Sequence, residues 1–468
     1  MSKIVKNYIY NISYQIVITI LPLITIPYLT RTLGATNLGI ERYIESVATL
    51  FTTFGLLGLV WYSNRAIAYI RDDKKKLSLC FAEIFCMRVL LLVATLVMYL
   101  CLYHNTEYAL YYKIFAIYIA GAFLDTSWFF IGIEEMKAVV SCNYIVKLAY
   151  TILLFFLVKK PEDLIVFVLL TSASMLVSAI ILLSKIRKYI TRFSWRELNL
   201  KRHLLPAITL FLPQAASQLY VQCDKIMIKQ LAENISYVSF YTENEKIVKV
   251  PVILATALTT VLMPRIANEF AVGNSKNIKR YIQTAFICTF FVLMPCCIGM
   301  MATAQTFVPI FLGPEFQDTY NILIFLCPSM IFIGLSSVTG IQYLVALNKT
   351  KELTISYVAA AVCNLTLNII LIPKYNAVGA TIGTVIAELL VFLIQYHFLK
   401  KDLGSLIDKK IMGFVLSLSI FMGIFVSICG ILTLSPIIKI VVQVSVGIVI
   451  YGLGAMVLYW KIKKQHCL

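Results

Sequence analysis

Fourteen stretches of about 20 mostly apolar residues recur along the chain. They lie at 8–30, 40–66, 77–102, 109–133, 139–158, 164–185, 205–230, 237–264, 281–311, 319–346, 353–372, 377–399, 411–434 and 437–460. Each is long enough, as a helix, to cross a hydrocarbon core of about 30 Å. Only 14% of the residues are charged and 60% are hydrophobic, whereas soluble domains average about 25% charged. The longest polar stretch, 186–203, reads as a loop, and nothing approaches the size of a soluble domain. The expected fold class is an all-α polytopic membrane protein with about 14 transmembrane helices. Lys3 and Lys6 precede the first apolar run and no small-residue cleavage site follows it, so an uncleaved first helix is expected rather than a signal peptide.

The net charge of +18 would suggest nucleic acid in a soluble protein. Loop topology accounts for it instead. With the N-terminus in the cytoplasm, 27 of the 41 Lys and Arg residues fall in inner loops and tails. Only Arg31, Lys159, Lys160 and Lys374 fall outside. The positive-inside rule then places both termini in the cytoplasm, with no nucleic-acid partner. Phe193, Trp195 and the basic residues of 186–203 suggest a segment on the inner membrane surface. Twelve cysteines are scattered with no C-x-x-C, and four histidines form no spacing motif. A disulfide framework or metal site is not expected.

Against this background, charges inside apolar stretches stand out. Glu41, Arg42 and Glu45 open the second stretch and Arg31 closes the first. Asp224 and Lys225 lie in the seventh; Glu243, Glu245, Lys246 and Lys249 lie in the eighth. A charge at the bilayer centre costs about 2.5–3.5 kcal/mol on insertion scales, so such groups pair or line a polar cavity. The 186–203 loop separates helices 1–6 from 7–12, with 13–14 appended. An offset of 198 residues brings Leu33 onto Leu231, Tyr43 onto Tyr241 and Glu45 onto Glu243. Pro22 and Pro27 in the first helix are echoed by Pro206 and Pro213 in the seventh. That layout fits a parallel repeat. The domains are accordingly 1–188, 189–203, 204–400 and 401–468.

Seven segments together resemble the Wzx-type polysaccharide flippases of the multidrug/oligosaccharidyl-lipid/polysaccharide exporter superfamily. They are IPYLTRTLGATNLGI at 26–40, NRAIAYIRDDKKKLS at 64–78, LDTSWFFIGIEEMK at 124–137 and FLPQAASQLYVQCDKIMI at 211–228. The others are YTENEKIVKVPVILATALTTVLMPRIA at 241–267, GIQYLVALNKTKELTIS at 340–356 and NLTLNIILIPKYNAVGATIGTVIAELL at 364–390. The resemblance implies two pseudo-symmetric six-helix lobes around a central cavity, plus two C-terminal helices. It also implies passage of an undecaprenyl-diphosphate-linked oligosaccharide from the inner to the outer leaflet of the bacterial cytoplasmic membrane, for capsule, O-antigen or exopolysaccharide assembly. Membrane lipids, a polymerase and glycosyltransferases of the same pathway are the implied partners. Such a carrier is not an enzyme and has no cofactor; a proton or sodium gradient is the candidate driving force. Where the family often has Gln-Gly-Leu-Glu, this chain has Ile131, Gly132, Ile133 and Glu134, which puts a sugar contact there in doubt.

A lipid diphosphate needs fixed cations, because its head group cannot shed its hydration unaided. Arg31, Arg42, Lys225, Lys246 and Lys249 are the candidates, with Arg suited to bidentate phosphate contact. Internal pairing is the competing reading: Glu243–Lys246 and Glu245–Lys249 are favourable helical spacings. Glu45, Asp125, Asp224, Glu243 and Glu245 are candidate coupling or gating groups. Asp125 could instead be a buried carboxylate paired with Arg88 or Lys147. Tyr43, Trp128 and Tyr241 are candidate sugar platforms. Pro22, Pro27, Pro213, Pro251 and Pro264 are kinks or hinges. Gly379 and Gly383 suggest close helix packing, and Glu388 a structural or coupling group. Arg65 and the RDDKKK run at 71–76 sit at the inner surface, where Arg65 could guide a diphosphate. A drug/cation antiporter shares the fold, but would have twelve helices and a carboxylate-dominated cavity. A lipid II-type flippase matches the segments less well, and a polymerase or ligase would need a sizeable outer loop.

Overall fold

A computed structural model describes residues 20–466, apart from 192, 193, 261, 348 and 407. The described chain is helical throughout, with no strand. The elements are α1 (20–32), α2 (Gly34–Gly55), α3 (Leu59–Ile70), α4 (Lys74–Tyr103), α5 (Ala109–Leu124), α6 (Ser127–Gly132), α7 (Met136–Leu157), α8 (Leu164–Ile186) and α9 (Lys201–Leu231). They continue with α10 (Ser236–Thr260), α11 (Met263–Ala271), α12 (Ser275–Leu312), α13 (Tyr320–Ser336), α14 (Thr350–Leu403), α15 (Lys409–Gly430) and α16 (Pro436–His466).

Ten of the described helices are long and apolar enough to cross a membrane, or eleven with the bent pair α2–α3. The expected count of fourteen is not matched one for one, and the differences have physical causes. The first stretch lies partly outside the described residues. Charges on α10 keep its composition short of an ordinary span. The stretches 353–372 and 377–399 run together as α14, whose 54 residues would be about 80 Å long if straight. Asn376 breaks it with φ 51° and ψ −131°. Pro264 lies in the first turn of α11, just after the break that separates it from α10.

By internal packing the chain forms two compact units, 1–230 with 234–239 and 231–233 with 240–468. The division falls after α9 and not at the 189–203 loop. Contacts at the start of α9 are the reason. Gly58, with φ 81°, turns the chain between α2 and α3, and a Cβ there would sit 2.3 Å from Ala207 O and 2.8 Å from Phe211 N on α9.

In the first unit, Trp128, Phe129 and Phe130 of α6 pack with Ile67, Phe81, Ile84, Val139 and Leu182. Phe81 stacks on Trp128 with centroids 5.5 Å apart. Asp73 caps α4, accepting from the amides of Lys75 and Lys76. Those bonds, chiefly from Lys76, hold its carboxyl below the usual carboxylate range.

The second unit contains a π-helical segment, Ser337–Val345, continuing α13. Such segments are rare and concentrate where a helix is functionally adjusted. Within α14, a Cβ on Gly379 would meet Leu371 O at 2.4 Å, and one on Gly383 would meet Asn368 Oδ1 at 2.5 Å. The two halves of α14 thus meet backbone to backbone at Gly379 and against the Asn368 side chain at Gly383, the close packing read from the sequence.

Candidate functional site

Buried charge gathers in each unit separately. In the first unit, the opening turns of α2 bury Glu41 completely and Arg42 nearly so. The Arg42 guanidinium lies 2.7 Å from Glu41 and 3.4 Å from Glu45, and 6.0 Å from the centroid of the Phe167 ring. On α9, Asp224 is buried and Lys225 donates to Gln222 Oε1 at 3.5 Å. Arg31, exposed on α1, donates to the Pro27 carbonyl at 2.8 Å.

In the second unit, α10 carries the counterpart charges. Lys246 donates to both carboxylate oxygens of Glu243, at 3.0 and 3.2 Å. Lys249 donates to Glu245 at 2.5 Å. Both helical pairs read from spacing therefore form. Such pairs offset the desolvation of their members without adding much net stability. Parting such a pair strands a buried carboxylate unless another cation or a proton reaches it.

The aromatic expectations need correction. Tyr241 is fully buried and its hydroxyl meets Thr384 Oγ1 at 2.9 Å. Trp128 is stacked in the α6 core and donates from Nε1 to Asp125 O. Tyr43 is buried edge-on against Tyr112, with Lys229 5.9 Å from its centroid. No ring face of these three lies open to a sugar in this conformation, because each is consumed by packing.

Asp125 is also placed differently from either reading. Its carboxylate accepts from the Ser127 amide at 3.1 Å and the Ser127 hydroxyl at 2.5 Å, closing an Asx turn that leads into α6. Arg88 turns to the chain instead, donating to Phe123 O at 2.8 Å and Ala122 O at 2.7 Å. Asparagine closes such a turn as aspartate does. Asp125→Asn is therefore expected to unfold thermally together with wild type; a clearly lower melting temperature would show that the charge itself is needed there.

Sequence reasoning missed a second buried group in the first unit. Glu83 of α4, fully buried, accepts from the Asn199 amide at 2.7 Å, from Arg202 and from His203 Nε2 at 2.8 Å. His203 Nδ1 lies 2.7 Å from the Tyr62 hydroxyl of α3. Glu83 within the apolar stretch 77–102 was the available signal. The second unit holds a polar seam as well. Gln395 accepts from Thr339 at 2.6 Å and donates to Ser356 at 3.1 Å, and Asn368 donates to Asn364 at 3.2 Å.

Residues 4–270 match the family described as polysaccharide biosynthesis protein. The chain belongs to the polysaccharide biosynthesis protein family. Among its relatives is a putative O-antigen transporter of Escherichia coli (strain K12), 26% identical over 403 residues, covering 85% of this chain and 97% of the relative. The lipid II flippase MurJ of Bacillus subtilis is 30% identical over 191 residues, 39% of this chain and 35% of that protein. A solved structure of lipid II flippase MurJ in an inward closed conformation matches with TM-score 0.80 at 16% identity, covering 98% of this chain and 99% of the other. An inward-facing multidrug resistance MATE transporter matches with TM-score 0.58 over 83% of this chain and 98% of its own. This member of the family therefore has the fold shared by these exporters, and it is a multi-pass membrane protein.

Proposed function

We propose that the chain flips a lipid-linked oligosaccharide from the inner to the outer leaflet of a bacterial cytoplasmic membrane. The observation that carries the reading is the likeness to an O-antigen transporter over 97% of that relative's length, joined to cations held by carboxylates on α2 and α10. The substrate is an undecaprenyl-diphosphate-linked repeat unit. Arg42, Lys246 and Lys249 exchange their carboxylate partners for diphosphate oxygens, and Arg31 and Lys225 add positive charge. Glu45, Asp224, Glu243 and Glu245 release and recapture those cations as the protein alternates in access. A proton or sodium gradient drives the cycle. Both termini lie in the cytoplasm, following the bias of Lys and Arg. The boundaries 1–188 and 204–400 are kept as units of sequence repetition, distinct from the packing units. A multidrug carrier is the weaker reading, since the MATE match is lower in TM-score and shorter in coverage than the MurJ match.

The purified full chain in proteoliposomes tests this. It is expected to expose a fluorescent polyprenyl-diphosphate-linked oligosaccharide to an outside quencher faster than empty vesicles do. Lys246→Ala is expected to slow that exposure at least about tenfold, the size of one lost charge-assisted contact. Equal rates for loaded and empty vesicles would end the flippase reading.

A further inference from the structure

A groove of about 300 Å³ opens between α3 and α9, lined by Tyr62, Arg65, Tyr69, Pro206 and Thr209. It lies at the end of α3 that leads into the 71–76 run, the cytoplasmic end in the orientation proposed above. Arg65 is exposed there. Its Nε donates to the Tyr69 hydroxyl at 3.0 Å and its guanidinium lies 5.5 Å from that ring's centroid. One turn earlier on the same wall stands Tyr62, whose hydroxyl reaches the buried His203.

We propose that this groove binds the phosphoester head group of a lipid, and that protonation of His203 switches Tyr62 into a donor for it. The inference rests on the flippase reading for its substrate and adds an entry site and a proton link to it. The chemistry follows from the hydrogen bonds. A carboxylate oxygen of Glu83 lies 2.8 Å from His203 Nε2, which requires a hydrogen on that nitrogen. Arg202 Nε approaches the same nitrogen at a longer 3.3 Å. In the neutral ring Nδ1 is then the acceptor, and the Tyr62 O–H points at it. In the imidazolium Nδ1–H donates to the Tyr62 oxygen instead, and the phenolic hydrogen is released toward the groove. An anion beside Arg65 gains a donor and a nearby positive charge from one proton.

The groups facing the His203–Tyr62 pair are Glu83 and Cys80 from α4 and Arg202 from α9. One carboxylate stands against one guanidinium, so the imidazole charge sets the balance. By linkage, proton uptake and anion binding must favour each other equally.

The test uses the full chain in nanodiscs and a soluble probe, farnesyl-diphosphate-linked N-acetylglucosamine. Its diphosphate is doubly esterified and does not titrate in this range. Binding is expected to be about tenfold tighter at about pH 4.5 than at about pH 8. Tyr62→Phe, which keeps the ring, is expected to bind with one affinity at both pH values. His203→Gln, which keeps a donor for Glu83 and cannot charge, should be equally flat. Arg65→Gln should weaken binding at both. Displacement of the probe by phosphatidylglycerol assigns the groove to bilayer phospholipid, and resistance to it assigns the groove to the saccharide-linked diphosphate. A flat wild-type profile, or a slope retained in Tyr62→Phe, overturns the site. A flat profile with intact flipping removes the site alone; a pH-dependent groove without flipping removes the flippase reading alone.

Discussion

Replacing Arg88 with leucine is expected to lower stability by roughly 2–6 kcal/mol, since two buried carbonyls would each lose a partner worth about 1–3 kcal/mol. The argument begins at the break between α5 and α6. In a continuous helix the Ser127 amide would meet Phe123 O; here it turns to Asp125. Water cannot make good such a loss within the hydrocarbon layer. Arg88, 34 and 35 positions earlier in the chain, reaches across from α4 and serves both Ala122 O and Phe123 O. Its guanidinium also lies 5.9 Å from the centroid of the Trp128 ring. Lysine keeps the charge but not the fork of donors, so Arg88→Lys should fall between leucine and wild type. Thermal unfolding in detergent reads the series; a leucine variant that melts with wild type would refute this account.

Glu83→Ala is the other large effect expected. The carboxylate is fully buried and gathers the Asn199 amide, Arg202 and His203. Removing one member of a buried charged group costs about 3–5 kcal/mol, because the charges left behind remain desolvated. The damage should be local first. Residues 194–200 are tied to α4 through this carboxylate, so their amides should exchange with deuterium far faster in Glu83→Ala. Glu83→Gln keeps an acceptor for Asn199 and should lie in between. Unchanged exchange across 194–200 would mean that the loop is held by other contacts.

Much of this architecture is legible in the chain because lipid imposes few solutions. Apolar runs of spanning length give the helices, and Glu243–Lys246 and Glu245–Lys249 give their pairs by spacing alone. Gly379 and Gly383 likewise announced a close approach that the backbone confirms. The break after Leu124 was invisible. No proline or glycine marks it, and the cation that sustains it comes from another helix. Tyr43, Trp128 and Tyr241 show the same boundary of inference from the other side. Their types suit sugar stacking and core packing equally, and only the neighbours Tyr112, Phe81 and Thr384 decide between them. Glu83 and His203 stand 120 positions apart, a distance that no local pattern reports.

The turn at Asn376 is a single residue held in a backbone region that side-chain-bearing residues rarely adopt, a strain of about 1–3 kcal/mol. Just beyond it the halves of α14 touch through Gly379, with no side chain between them to act as a bearing. A contact that close leaves the two halves little room to slide past one another. The pair is expected to move as one stiff lever, with rearrangement of the second unit taken up near its open end, where the π-helical Ser337–Val345 and the Lys349–Asp402 contact lie.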